Sequence, residues 1–383
     1  MQKQEINAAI ESVSMLYNEL KAPFVNRDEE AKVLVMALIT QEHALLLGEP
    51  GTAKSALARR LATLIKARFF KYLLTRYTEP SELLGPLDIR ALKEGEYRRI
   101  VKGKLPEAEI AFLDEIFNAN SAVLNSLLSI MQERIVYDGY SEIKTNLWTI
   151  IAASNNVPEE QELQALYDRF LFRHRVEPLP PEHWDPLLKA AWDIERAGYE
   201  APKPLMDLET IRRINEVVLT GVDVFTIKDK LIKIYMILED KGFHITDRRK
   251  GKILKAIAAH ALLEGRNYAT EQDLIVLKYT VPRDPEDFAK INTILMEELK
   301  TKDRILRELN AISSNLNSTM EMIDKVASFD PRLIDYYRSL KSTRAKVQSL
   351  VEGIDDPEII KIASEIMEKI DYLIDKVMSK LNV

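Results

Sequence analysis

The stretch Leu45 to Ser55, LLLGEPGTAKS, contains the residue types that grip a nucleoside triphosphate. Gly48 and Gly51 permit a tight turn whose backbone N–H groups point at phosphate oxygens. Lys54 neutralises phosphate charge, and the Ser55 hydroxyl can ligate magnesium. Gly48, Glu49, Pro50, Gly51, Thr52, Ala53, Lys54, Ser55 and Ala56 are therefore read as nucleotide contacts, with ATP and Mg2+ as cofactors. The strict phosphate-loop pattern wants glycine where this chain has Ala53, so the flanking elements must decide. Ala44 to Leu47 is a short apolar run of the kind buried parallel strands show. Ala56 to Lys66 reads as an amphipathic helix whose positive end, near Ser55, faces the phosphates.

Ile110 to Glu115, IAFLDE, is a second buried-strand pattern, and it ends in two adjacent carboxylates. Open α/β sheets hold their ligands at that C-terminal edge. Asp114 is placed to hold magnesium, directly or through water. Glu115, one residue on, reaches the space beyond a γ-phosphate, where a general base would orient and deprotonate the attacking water. Alone, an Asp-Glu pair is as readily the solvated start of a helix; behind a phosphate loop the catalytic reading is the stronger one.

The elements that must position these groups form an α/β core. Over residues 1–179 helical and strand-like segments alternate, with apolar runs at Ala44 to Leu47, Ile110 to Leu113 and Leu147 to Ala153, the signature of a mostly parallel sheet. The proline cluster Glu177 to His183 closes this region. Residues 180–283 read as a helical lid, with helices over Leu187 to Arg196, Leu208 to Leu219, Thr226 to Glu239 and Asp247 to Leu263, and Gly265 as a stop. Residues 284–383 form a charged helical tail broken at Asp330-Pro331 and Asp356-Pro357. Leu309, Ile312, Leu316, Met320, Ile323 and Val326 recur there at helical spacing, as do Ile359, Ile362, Ile366, Ile370, Leu373, Val377 and Leu381. The tail is expected to pack on itself as a helical hairpin or small bundle.

Composition narrows the class. The 383 residues, 46% of them apolar, suffice for two or three domains. The chain has no cysteine, and its five histidines lack ligand spacing, so neither disulfides nor structural zinc are expected. The N-terminal MQKQEINAAIESV lacks the apolar core of a signal peptide, and no apolar run is long enough to span a bilayer, so a cytoplasmic location with no membrane partner is expected. A net charge of −6 weighs against a nucleic-acid surface, although Arg98, Arg99, Lys102 and Lys104 form one basic segment.

The phosphate loop, IAFLDE, AASNN at Ala152 to Asn156, ALYDRF at Ala165 to Phe170 and TDRR at Thr246 to Arg249 together resemble a MoxR-type AAA+ ATPase, most closely the regulatory ATPase variant (RavA) subgroup. The likeness runs from about Leu16 to Tyr279 and includes LTRYTEPSELLGPLDIRALKEGEY and KLPEAEIAFLDEI; members of that subgroup also end the loop in GxAKS. The resemblance implies that Asn155 is the sensor-1 residue assisting Glu115, that Arg169 is an arginine finger reaching a neighbouring subunit, and that Arg248 is a sensor-2 residue touching the γ-phosphate of its own subunit. Arg173 competes for the finger role and Arg249 for the sensor. It further implies a hexameric ring, a protein client and a partner carrying a von Willebrand A domain.

The inserts at Gly85 to Gly103 and Arg134 to Lys144 match the family, and Tyr97, Tyr137 and Tyr140 there are either packing residues or grips for a client. Enterobacterial members carry a mainly β domain after the lid, where this chain has charged helices. The function expected is an ATP-hydrolysing motor that remodels a protein client. The alternatives are a nucleic-acid-stimulated motor and a nucleotide-gated scaffold without sustained turnover.

Overall fold

The structure, a computed structural model, describes residues 3–138, 141–158, 161–197, 203–299, 302–328, 330–351 and 356–381. The chain divides into two compact units, Met1–Leu295 and Met296–Val383. In the first, α1 (Lys3–Lys21) and α2 (Asp28–Ile39) precede β1 (Ala44–Leu47). Then come α3 (Lys54–Leu64), β2 (Phe69–Leu73), the short α4 (Pro80–Leu84) and α5 (Ile89–Lys93), β3 (Ile110–Asp114) and α6 (Ser121–Glu133). The hairpin of β4 (Ile135–Asp138) and β5 (Ser141–Lys144), then β6 (Thr149–Ser154), α7 (Gln161–Tyr167) and β7 (Phe172–Arg175), complete the α/β part.

Five strands form one parallel sheet in the order β2-β3-β6-β1-β7. The register pairs Leu47 with both Ser154 and Arg175, and Leu73 with Asp114, so the strands end along one edge. Gly48, Glu115 and Asn155 each follow a strand end on that edge, which is how residues far apart in sequence come to one place. β1 and β6 are buried at every position, as their unbroken apolar runs require of strands covered on both faces. The third apolar run is shifted from expectation: the strand is Thr149–Ser154, and Trp148 before it turns away to donate its indole N–H to the Leu38 carbonyl at 2.7 Å. β2 and β7 lack continuous apolar runs and were not singled out from sequence.

Four helices follow: α8 (Trp184–Ala197), α9 (Leu208–Thr220), α10 (Lys228–Asp240) and α11 (Asp247–Leu263). Asp207 and Thr246 cap α9 and α11 through backbone N–H groups of Thr210 and Arg249. The lid is fastened to the core by polar contacts. The Asn215 amide donates to the Ile39 carbonyl at 2.7 Å, and the buried Glu42 receives Lys252 at 2.6 Å and Lys255 at 3.0 Å. Behind α11 the fully buried Asp273 accepts from Arg266 at 2.7 and 2.8 Å and pairs with His260 at 2.7 Å. Burial alone would raise the Asp273 pKa; Arg266 and His260 overcome it and hold the carboxyl at about 2. The first unit ends with α12 (Leu277–Thr280) and runs into α13 (Asp287–Glu298), within which the division falls.

The second unit is a bundle of α14 (Lys302–Lys325), α15 (Arg332–Val351) and α16 (Pro357–Leu381) around a single apolar core. Leu309, Ile323, Ile370, Leu373 and Val377 are fully buried in it. The third contributor is α15, whose Leu333, Leu340 and Val347 recur every seven residues, a spacing that fixes one face of a helix. Both expected breaks are present: Asp330 accepts from the Arg332 N–H and Asp356 from those of Glu358 and Ile359. Lys380 donates to the Ile323 and Val326 carbonyls at 2.8 Å, capping the end of α14 with a cation. Among the described residues no helix is long and apolar enough to cross a membrane.

Candidate functional site

The loop after β1 is tightly determined. Gly48 has φ 146°, and a Cβ there would lie 2.2 Å from the carbonyl oxygen of Val176, the residue after β7, which excludes any side chain. Gly51 has φ 85°. Ala53 occupies the left-handed region at φ 64°, ψ 11° as the residue before α3. The backbone conformation of a strict phosphate loop is thus kept, at a cost of roughly 1 kcal/mol for the extra methyl. The helix begins at Lys54 and ends at Leu64, two residues earlier at each end than its amphipathic pattern indicates; Lys66 already turns back at φ 51°.

Lys54 is buried and clips the loop together. Its Nζ donates to the carbonyls of Gly48 at 2.6 Å and Glu49 at 2.7 Å, and to the Thr52 hydroxyl at 3.3 Å. Burial lowers its pKa, opposed by the carboxylates of Asp114 and Glu115. A cavity of about 800 Å³ opens over the loop, walled by Pro50 to Ala56, by Asp114 and Glu115, and by Asn155. Gly48 and Glu49 border a neighbouring hollow of about 540 Å³, reaching from Asn155 and Asn156 to Phe288.

Glu115 stands at the end of β3 with φ 52°, ψ 47°. A left-handed non-glycine residue costs about 1 to 3 kcal/mol and concentrates at functional sites. Its carboxylate accepts from the Asn155 amide at 3.0 Å and from the Asn118 amide at 3.4 Å. Its N–H donates to Asp114 Oδ1 at 3.2 Å. Asn155 was expected to help Glu115 position water, and its amide here bonds the carboxylate itself; Asn118 was not singled out, and its position three residues on, across one short helical turn, was the available signal. Ser55 and Asp114 border the same cavity. One hydroxyl and one carboxylate are the donor set magnesium uses when phosphates complete its shell. Among the described residues no cluster of three or more His, Cys, Asp or Glu offers a metal cage.

The arginines lie elsewhere. Arg169 and Arg248 border a small hollow with Asp168, Leu171, Thr246, Arg249 and Lys252, which shares no residue with the phosphate cavity. Arg248, expected at the nucleotide of its own subunit, thus borders the same hollow as Arg169 and does not line the phosphate cavity. Arg248 is exposed, and the Arg169 Nε is buried without a hydrogen-bond partner. The two competing arginines are committed internally. Arg173 is fully buried on β7, donating to the Pro282 and Tyr167 carbonyls at 2.7 and 3.1 Å, with its guanidinium 4.0 Å from the Tyr167 ring. Arg249 donates to the Phe170 carbonyl at 2.7 Å, and burial lowers its pKa, with Arg173 adding to the effect. Asp168 pairs with Arg173 at 3.2 Å and approaches Arg249 at 3.9 Å, so it does not explain Arg169.

Two further cations border the phosphate cavity without having been singled out, Arg59 on α3 and Lys71 on β2. Their signal was positional: Arg59 follows Ser55 by one helical turn, and Lys71 shares a strand face with Leu73. The basic segment of the first insert is largely spent on its own loop. Arg98 pairs with Asp88 at 3.0 Å, Arg99 donates to the Gly85 carbonyl at 3.0 Å and Lys104 to that of Glu82 at 2.9 Å. Tyr97 and Tyr137 are exposed, the latter donating to Glu133 at 2.6 Å; Tyr140 lies outside the described residues.

Comparison with known proteins bears on the family and the fold. Residues 11–216 match the model of the MoxR domain in the MoxR-vWA-beta-propeller ternary systems, and residues 223–295 match an AAA lid domain. The chain is 40% identical over 309 residues to the protein MJ0812 of Methanocaldococcus jannaschii, covering 78% of this chain and 81% of that one. It is 24% identical to the chaperone MoxR1 of Mycobacterium tuberculosis over 70% of this chain and 74% of that one. A solved Cytophaga hutchinsonii protein, provisionally described as an ATPase, shares the fold with a TM-score of 0.63 at 18% identity, over 78% of this chain and 97% of that one. With a phosphate loop, an acidic strand end and a helical lid set in one compact unit, the chain belongs to the MoxR family of AAA+ ATPases.

Proposed function

We propose that the protein hydrolyses ATP as a ring-forming motor, in which each phosphate cavity is completed by Arg169 and Arg248 of the adjacent subunit, and that it remodels a protein client. The observation that carries this reading is that the two arginines line a hollow sharing no residue with the phosphate cavity of their own chain. Arg169 and Arg248, standing together and short of anionic partners, suit a neighbour's γ-phosphate; arginines supplied in trans raise phosphoryl-transfer rates by roughly 10³ to 10⁵. Helix α8 supports assembly as well, because Trp184, Leu188 and Trp192 are 54%, 71% and 67% exposed, an apolar face out of place on a lone subunit.

Within one cavity, Lys54 and the loop amides bind the phosphates, Ser55 and Asp114 hold magnesium, Asn155 orients Glu115, and Glu115 takes a proton from the attacking water. Bound Mg2+ supplies charge neutralisation across the phosphates. A carboxylate positioned in this way has no purpose in a switch that never turns over. The pairing of Arg98, Arg99 and Lys104 within the insert likewise counts against a nucleic-acid motor. Tyr97 and Tyr137 on the two inserts are the surfaces assigned to a client. The matched family model points to a partner with a von Willebrand A domain. The GxAKS ending favours the RavA subgroup, and a hexamer in the cytoplasm is the assembly inferred.

ATP turnover per subunit, measured across a wide range of protein concentration, tests the reading. A rise through a threshold is expected. A flat, appreciable rate would mean self-sufficient subunits and a misassigned Arg169, and no turnover at any concentration would favour the scaffold.

A further inference from the structure

The phosphate cavity has two lysines of different kinds. Lys54 is buried, and its ammonium is spent on two carbonyls and a hydroxyl of the loop itself. Lys71 comes from β2, is exposed, and donates to the Ser55 hydroxyl at 3.3 Å. Strand alternation carries it to the same face as Leu73, whose partner across the sheet is Asp114. Its Nζ lies 5.8 Å from the ring centroid of Phe112, the residue it pairs with in the sheet, and this steadies the chain over the cavity. Among the described residues Lys71 has no carboxylate partner at salt-bridge distance, so its charge is available to an anion.

The hydroxyl that Lys71 holds is the one a divalent cation would use. Two positive centres do not share one small oxygen readily: at a few ångströms they repel, and the hydroxyl's lone pairs are limited. We propose that Lys71 is a positioning residue that stands in for the divalent cation, neutralising the phosphates beside Ser55 when a nucleotide arrives without metal and yielding that hydroxyl when Mg2+ enters. Lys71 thereby sets how strongly nucleotide binding depends on metal. The inference rests on the ATP site proposed above and assigns one of its residues a separate task.

The test is the affinity of the full-length protein for ATP carrying a fluorescent ribose label, measured in excess EDTA and across a Mg2+ titration, for wild type, Lys71→Gln and Lys71→Arg. Loss of one charge-assisted contact should weaken metal-free binding by about tenfold in the glutamine variant. Binding at saturating Mg2+ should stay within about twofold of wild type, with the half-saturating Mg2+ concentration lowered, because the competing ammonium is gone. Arginine should restore metal-free binding. A glutamine variant weakened equally with and without metal, or changed in neither condition, overturns the proposal. Wild-type protein that binds no labelled ATP in either condition overturns both this proposal and the ATP-site reading.

Discussion

The phosphate cavity and the arginine hollow belong to one compact unit but treat charge in opposite ways. At the phosphate loop Lys54 is engaged by loop carbonyls and Glu115 by two amides. At the hollow, Arg169 and Arg248 meet Lys252 and Arg249 with Asp168 as the acidic member, and that carboxylate is taken up by Arg173 and Arg249. The first region gathers its loop, its acidic strand end and Asn155 from this chain. On the function proposed above the second is a half-site, and the contrast is how a single chain would encode a dependence on its neighbour.

The comparison breaks first at Arg169. Arg169→Ala should lower turnover by roughly 10³ to 10⁵ while leaving nucleotide affinity and thermal stability near wild type, as steady-state kinetics, labelled-nucleotide binding and calorimetry would check. Glu115→Gln, on the other side, should lower turnover by about 10² to 10⁴ with ATP still bound. Mixing the two inactive proteins sharpens the contrast. Rings holding both should regain measurable activity, because some interfaces then pair an intact cavity with an intact arginine; no recovery in co-assembled rings would place both residues in the same subunit's site.

A third substitution separates the neighbouring arginines. Arg173→Ala should cost about 3 kcal/mol in chemical denaturation, since it strips buried carbonyls and Asp168 of their partner, whereas Arg169→Ala should cost within about 0.5 kcal/mol. The smallest effect concerns the lid. The Asp273 carboxyl titrates near 3.8 when unfolded and at about 2 when folded, so its contribution of about 2 kcal/mol is present above the unfolded value and fades as pH falls from about 4 towards 2. Unfolding series at pH 5, 3.5 and 2.5 should show this slope in wild type and its absence in Asp273→Asn.

Legibility in the sequence followed how local the determining interaction was. The β1 and β3 runs, the loop glycines, the acidic pair and the tail breaks at Asp330 and Asp356 depend on near neighbours, and each was readable. β2 and β7 were not, because each lies at an edge of the sheet and so carries a mixed rather than continuous apolar pattern. Arg173 and Arg249 could not be told from Arg169 and Arg248 by spacing: what separates them is burial against Tyr167, Phe170 and Pro282, which only the tertiary fold provides. Which hollow Arg248 borders was not legible for the same reason. The path of α11 is set by Glu42, some two hundred residues earlier, gripping Lys252 and Lys255.

The left-handed backbone at Glu115 has a kinetic meaning. A side chain that had to swing into position would incur its reorganisation on every cycle, whereas one mounted on a strained but fixed turn has incurred it once, during folding. On the proposed reading the sheet therefore fixes the carboxylate's position once, and no cycle has to repeat that ordering. Its signature would be relief of strain at this position: Glu115→Gly, freed of the Cβ, should melt later than Glu115→Ala.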